Sequence, residues 1–197
     1  MSKVVAIEHL TLDGVMQGPG RADEDRRNGF DSGGWAAAGN DPAMQEVQGK
    51  HMGSSWSLLV GRTTYEDFAS FWPNQPQPNP FTEILNNVEK FVASTTLSEP
   101  LPWRNSTLLR GDAADAVADL KRTHGKNLVI FGSGVLVQSI LPRGLIDALV
   151  LQIHPLVLGK GRRLFPETGP PARFQLTESV TTGTGVIIVT YRPAMQS

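Results

Sequence analysis

The apolar positions of this chain come in short dense runs, separated by polar stretches rich in glycine and proline. KVVAIEHL, residues 3–10, is β-branched and apolar almost throughout, the pattern of a central parallel strand covered on both faces. It ends near Thr11. Gln17 to Trp35 is rich in glycine and charge and reads as one long surface loop, of a length that is usually a functional lid or disordered. Asp41 as N-cap, with Pro42 at the first helical position, predicts a helix to Met52 and then the strand WSLLVG. TTYEDFASFW is helical, and the spacing of Phe68, Phe71 and Trp72 marks a buried face. The run PNQPQPNP from Pro73 to Pro80 excludes helix and ladder and reads as a linker, with a short helix after Phe81. KFVA and STLL predict short strands, residues 112–123 a helix, NLVIF a buried strand, and VLVQSIL an amphipathic helix ended by Pro142. IDALVLQIHPLVL reads as one long strand or a bent pair, and Phe174 to Val180 with Val186 to Tyr191 flank TTGTG as a hairpin. Alternating strands and helices followed by strands call for a single α/β domain, residues 1–197. Its expected form is three-layered, with a mostly parallel central sheet and antiparallel C-terminal strands.

Composition narrows the function. The 197 residues suit one well-buried core, and a formal net charge of -1 gives no broad field for nucleic acid or an anionic membrane. The absence of cysteine removes disulfides and the usual structural zinc ligands, which fits a reducing cytoplasm. The N-terminal apolar run is too short for a signal peptide, and no stretch approaches a membrane span, so a cytoplasmic protein is expected. Four histidines, His9, His51, His124 and His154, lie far apart without ligand spacing, so no metal site is expected, and His154 before Pro155 is assigned to packing or a strand break.

Ligands of open α/β sheets bind beyond the carboxyl ends of the strands. Three such places carry suitable residues. After WSLLVG come Arg62, Thr63, Thr64, Tyr65 and Glu66, where a glycine turn, a helix start and a permanently charged fork suit a phosphomonoester. Thr63 and Glu66 equally fit a capping box that needs no ligand. Gly132, Ser133, Gly134 and Val135 join a buried strand to a helix, where two glycines and a Ser N-cap suit a pyrophosphate or form a plain tight turn. Ser94 and Thr95 after KFVA suit either a phosphate or a Ser/Thr turn.

TLDG after the first strand, LLVGRTTYE, KFVAST, LVIFGSGVLVQSIL and GLIDALVLQIHPLVLGKGRRLF, taken in this order, resemble the dihydrofolate reductase superfamily. The likeness is to its bacterial branch related to the reductase domain of the bifunctional riboflavin-biosynthesis deaminase/reductase. It covers roughly residues 3–192. The resemblance implies a reductase that binds NADPH across the sheet edge. The adenosine phosphate would lie near Arg62, Thr63, Thr64, Ser94 and Thr95, the pyrophosphate on Gly132, Ser133, Gly134 and Val135, and the nicotinamide near Ala6 and Asp13.

Asp13 is the candidate catalytic contact to a small heterocyclic substrate of pteridine or aminopyrimidine type, although an Asx-turn is an equally natural role for it. Glu46 is the acidic residue in the middle of the following helix, read first as a solvated charge. Lys160, Arg162 and Arg163 form a basic group that would contact a phosphorylated substrate or make a solvated turn. A lid of residues 17–35 would close over the site. A homodimer is expected by resemblance and from the long apolar run LVLQIHPLVL, read as an edge strand needing cover. The rival to the reductase is a non-catalytic nucleotide- or ligand-binding module on the same fold.

Overall fold

The structure, a computed structural model, describes residues 1–76 and 80–194. Eight strands form one sheet: β1 (Val4–Thr11), β2 (Trp56–Gly61), β3 (Lys90–Ala93), β4 (Ser106–Leu109), β5 (Asn127–Phe131), β6 (Ala148–His154), β7 (Phe174–Thr181) and β8 (Ile187–Pro193). Their order is β4-β3-β2-β5-β1-β6-β8-β7. The first six in that order run parallel, and β8 pairs antiparallel with both β6 and β7, as the strand pattern predicts. Among the described residues five α-helices flank the sheet: α1 (Pro42–Met52), α2 (Arg62–Phe71), α3 (Pro80–Asn87), α4 (Ala113–Thr123) and α5 (Gly134–Ile140).

The alternation along each strand sorts the core into two faces. Val4, Ala6 and Leu10 of β1 join Leu128 and Ile130 of β5 beneath Ala114 and Val117 of α4 and Leu136, Val137 and Ile140 of α5. The intervening Val5 and Ile7 lie with Val129 and Val150 against Met44 and Val47 of α1. Leu58 and Val60 of β2 pack with Tyr65 of α2 and Leu85 of α3. Trp56 and Phe131 border both of the latter clusters, so α1, α2 and α3 share one face and α4 and α5 cover the other. Each Val, Leu, Ile or Met side chain among them contributes about 1.5–3 kcal/mol when fully buried.

Several expectations are corrected. LVLQIHPLVL does not form an edge strand: β6 ends at His154 and lies between β1 and β8, and the sheet's edges are β4 and β7. The edge-strand reason for a dimer therefore falls. The proline run is not free of helix, because Trp72–Asn74 forms a 3-10 turn with Pro73 near its start, and the short helix begins at Pro80 rather than after Phe81. Residues 77–79 of that run lie outside the described residues. The segment 17–35, by contrast, is a long loop as expected, with a 3-10 turn at Arg27–Gly29, and it is fastened by Gln17, which is only 4% exposed. Its amide donates to the Asp25 and Arg27 carbonyls at 3.3 and 3.0 Å, and its oxygen accepts from the Arg162 N–H at 3.0 Å.

Lys90 opens β3 fully buried, a position its sequence does not betray. Its ammonium donates to the carbonyls of Val88, Arg104 and Asn86 at 2.9, 3.1 and 3.4 Å and lies 4.4 Å from the Trp103 ring centre. Burial, with the nearby Arg104 adding to it, pulls the Lys90 pKa down to about 8. Lys90→Met leaves these carbonyls short of donors, so urea unfolding is expected to show a loss of about 2 kcal/mol. An unchanged midpoint would mean that relief of the buried charge offsets the lost bonds.

Candidate functional site

β2 and β5 are neighbours, and the helices that follow them leave for opposite faces of the sheet. The carboxyl ends of these strands therefore flank a crevice of the kind that receives ligands in open α/β sheets. The Gly61 N–H donates to Ser133 Oγ at 3.0 Å, tying the two strand ends together. Ser133 is the residue before α5, in the left-handed region with φ 60°, and its hydroxyl makes no bond to that helix. The expected Ser N-cap is thus corrected: its side chain serves the neighbouring strand. Gly132 has φ +66°, and a Cβ there would stand 3.7 Å from the Thr64 side chain. α2 starts at Arg62 with Gly61 as its uncapped N-cap, so the Thr63/Glu66 capping box does not form. Two helix starts consequently meet at one crevice, neither with a side-chain cap among the described residues.

Arg62 stands about half exposed in an i,i+4 pair with Glu66 at 3.2 Å. Thr63 Oγ1 accepts from Arg27 Nη1 at 3.3 Å, which lays the 17–35 segment against the start of α2. Gly61 pairs with Ala93 across β2 and β3, so Ser94 and the exposed Thr95 follow at the same edge. Ser94 Oγ accepts from the Thr96 and Leu97 N–H groups, both at 3.1 Å, which makes it a Ser/Thr turn. Val135 is 59% exposed on the first turn of α5. Met16 lies across Gly134, where any side chain would collide with its sulfur.

Other candidates fall elsewhere. Ala6 is fully buried in mid-strand, paired with Ile130 and Leu149. Asp13 is turned towards the 156–163 segment: its carboxylate accepts from the Thr11 hydroxyl at 2.6 Å and from the Gly159 and Leu158 N–H groups at 2.9 and 3.2 Å. The Thr11 bond leads in holding its pKa down at about 2, with the two N–H groups assisting. Glu46 is exposed, as a solvated charge would be. Lys160 pairs with Asp31 at 2.6 Å and Arg163 Nε donates to the Asp13 carbonyl at 2.8 Å. Arg162 lines a cavity of about 180 Å³ together with Gln17, Arg27, Phe30 and Lys160.

The structure also assembles polar groups that no motif announces. Glu8 of β1 is 1% exposed on the α5 face, where burial raises its pKa well above the usual range despite the Gly132 N–H beside it. On the α1 face His9 Nδ1 meets His154 Nε2 at 2.9 Å. The Trp35 ring stands edge-on to His154 with centroids 5.2 Å apart. Gln152 pairs with His9 in the strand register, is fully buried, and has no partner for either amide atom. Burial, reinforced by His154, lowers the His9 pKa to about 4, and burial lowers that of His154. His154 both ends β6 before Pro155 and packs against Trp35, as expected, and it also meets His9. The signal for this group lies in strand order alone, since 145 residues separate the two rings.

Residues 2–188 match the family model of the RibD C-terminal domain. The uncharacterized protein YyaP of Bacillus subtilis (strain 168) is 25% identical over 138 residues, 68% of this chain and 72% of that protein. A proposed riboflavin biosynthesis protein from Shewanella sp. PV-4 shares the fold with a TM-score of 0.67 and 26% identity, covering 98% of this chain and 99% of its own. Dihydrofolate reductase from Enterococcus faecalis, solved with NADP(H), superposes with a TM-score of 0.62 at 15% identity, over 97% of this chain and 96% of that one.

Proposed function

Because the chain belongs to the RibD C-terminal domain family, we propose that it is an NADPH-dependent reductase of a small flat heterocycle of pteridine or aminopyrimidine type. The observation that carries this reading is the meeting of two uncapped helix starts at one crevice beside the Arg62 guanidinium. Backbone N–H groups at such starts favour phosphate oxygens, and Gly132 and Ser133 form a left-handed turn before α5. These residues fit a dinucleotide. When bound, NADPH supplies a hydride.

The chain's own part is to position and to exclude water. Arg62, Thr63, Thr64, Ser94 and Thr95 would hold the adenosine phosphate, with Arg62 exchanging Glu66 for it. Gly132, Ser133, Gly134 and Val135 would hold the pyrophosphate once the flexible Met16 side chain swings off Gly134. The 17–35 segment, already touching Thr63 through Arg27, would close the site. In support, the Enterococcus faecalis enzyme of the same fold was solved with NADP(H).

A second reading, a ligand-binding module without catalysis, draws on the carboxylates: Asp13 is saturated with donors and Glu46 faces solvent. Calorimetric titration with NADPH and NADH tests the cofactor reading. Micromolar NADPH binding, with NADH at least tenfold weaker, is expected. No binding at millimolar NADPH would overturn it.

A further inference from the structure

A hydride added to a heterocycle needs a proton to follow it, and the carboxylates of this edge are poorly placed to give one. Asp13 is bound on both oxygens, Glu46 is solvated, and Glu8 is sealed beneath the opposite face. The His9–His154 pair differs. It lies at the carboxyl ends of two central strands, on the α1 face, one strand away from the Gly132–Gly134 turn. His154 is 1% exposed and shut behind Trp35, whereas His9 is half-buried. His9 spends Nδ1 on His154, so Nε2 is the nitrogen left for a ligand. Beside it, the buried Gln152 amide has a donor and an acceptor unused, and buried polar atoms without partners are rare unless a ligand completes them.

We propose that His9 is the catalytic residue that hands a proton from Nε2 to a ring nitrogen of the bound heterocycle, and that His154 is the positioning residue that fixes its imidazole. This rests on the reductase reading above. The substrate's ring C=N gains a hydride at carbon from the reduced nicotinamide and a proton at nitrogen from His9. It becomes CH–NH, NADPH becomes NADP+, and water returns a proton to His9. The groups beside His9 are His154 and Gln152 from β6 and, behind His154, Trp35, and His154 is the ionisable one whose charge acts on it. An acid this readily deprotonated makes the rate climb about tenfold for each pH unit as pH falls from 8 towards 5.

The experiment follows the four histidine rings by 15N NMR as NADP+ is added, with calorimetry on the same sample recording occupancy. It is joined to NADPH oxidation with 7,8-dihydropterin as probe across pH 5–8. His9 and His154 signals are expected to move on binding while His51 and His124 stay. His9→Gln keeps a polar partner for His154, so NADPH affinity should stay within about twofold while turnover falls about 10²- to 10⁴-fold and loses its pH slope. His154→Gln should move the His9 titration upwards, which a purely structural histidine would not report. NADP+ binding that leaves both rings unmoved overturns this proposal and spares the reductase reading. A His9→Gln rate within threefold of wild type, slope intact, does the same. Absence of any NADP+ or NADPH binding overturns both. If wild-type protein binds NADPH yet leaves the probe untouched, the ring response decides.

Discussion

Between pH 7 and pH 4 the wild-type protein is expected to lose about 2–3 kcal/mol more stability than a His9→Gln variant. Folded, His9 takes up its proton only near pH 4, because burial and then the neighbouring His154 oppose the charge. Unfolded, it does so near the ordinary value of 6.5. Between these values the unfolded chain holds the extra proton, so acidification favours unfolding, and the cost is complete below pH 4. Glu8 works in the opposite sense, since its raised pKa lets the native state keep a proton that the unfolded chain releases above about 4.5. Urea midpoints of the two proteins at several pH values isolate the His9 contribution. Parallel curves would show that the ring is hydrated enough to titrate normally.

The second large effect is on cofactor choice. Arg62→Ala is expected to weaken NADPH binding by about tenfold to a hundredfold, the value of one charge-assisted hydrogen bond, and to leave NADH affinity unchanged. The Arg62–Glu66 pair presents little obstacle to such a role, because an exposed i,i+4 pair contributes only about 0.3–0.5 kcal/mol. A variant that binds both dinucleotides as wild type does would remove Arg62 from the phosphate site. Calorimetry in low salt gives the clearest reading, since screening would blunt the difference.

Much of this molecule is legible in local pattern. The apolar runs at Val4–Thr11 and Asn127–Phe131, the Asp41-Pro42 helix start and the TTGTG hairpin are each fixed by neighbours in sequence, and each forms where its residues say it should. So do the glycine turns after β2 and β5. What pattern does not carry is adjacency. LVLQIHPLVL has the composition of an exposed edge or an interior strand alike, and only the pairing of β6 with β1 and β8 decides between them. The same pairing brings His9 to His154 and sets Gln152 opposite His9. Side-chain identity also misleads at Lys90, a residue type almost never fully buried, which is retained by three carbonyls drawn from two segments. Ser133 looks like a helix cap, yet its hydroxyl is claimed by Gly61 across the crevice.

The sheet order also sets a timetable for synthesis. β1 is made first, but its two partners are β5 and β6, more than a hundred residues later in the chain. While β2, β3 and β4 emerge and can pair among themselves, the apolar strand β1 waits with both edges open. Closing so long a loop is slow, and a waiting strand of this kind is a template for association with other chains. A ribosome-stalled chain ending before residue 127 should therefore expose β1 to chaperones, and release of that hold should coincide with emergence of β5 and β6.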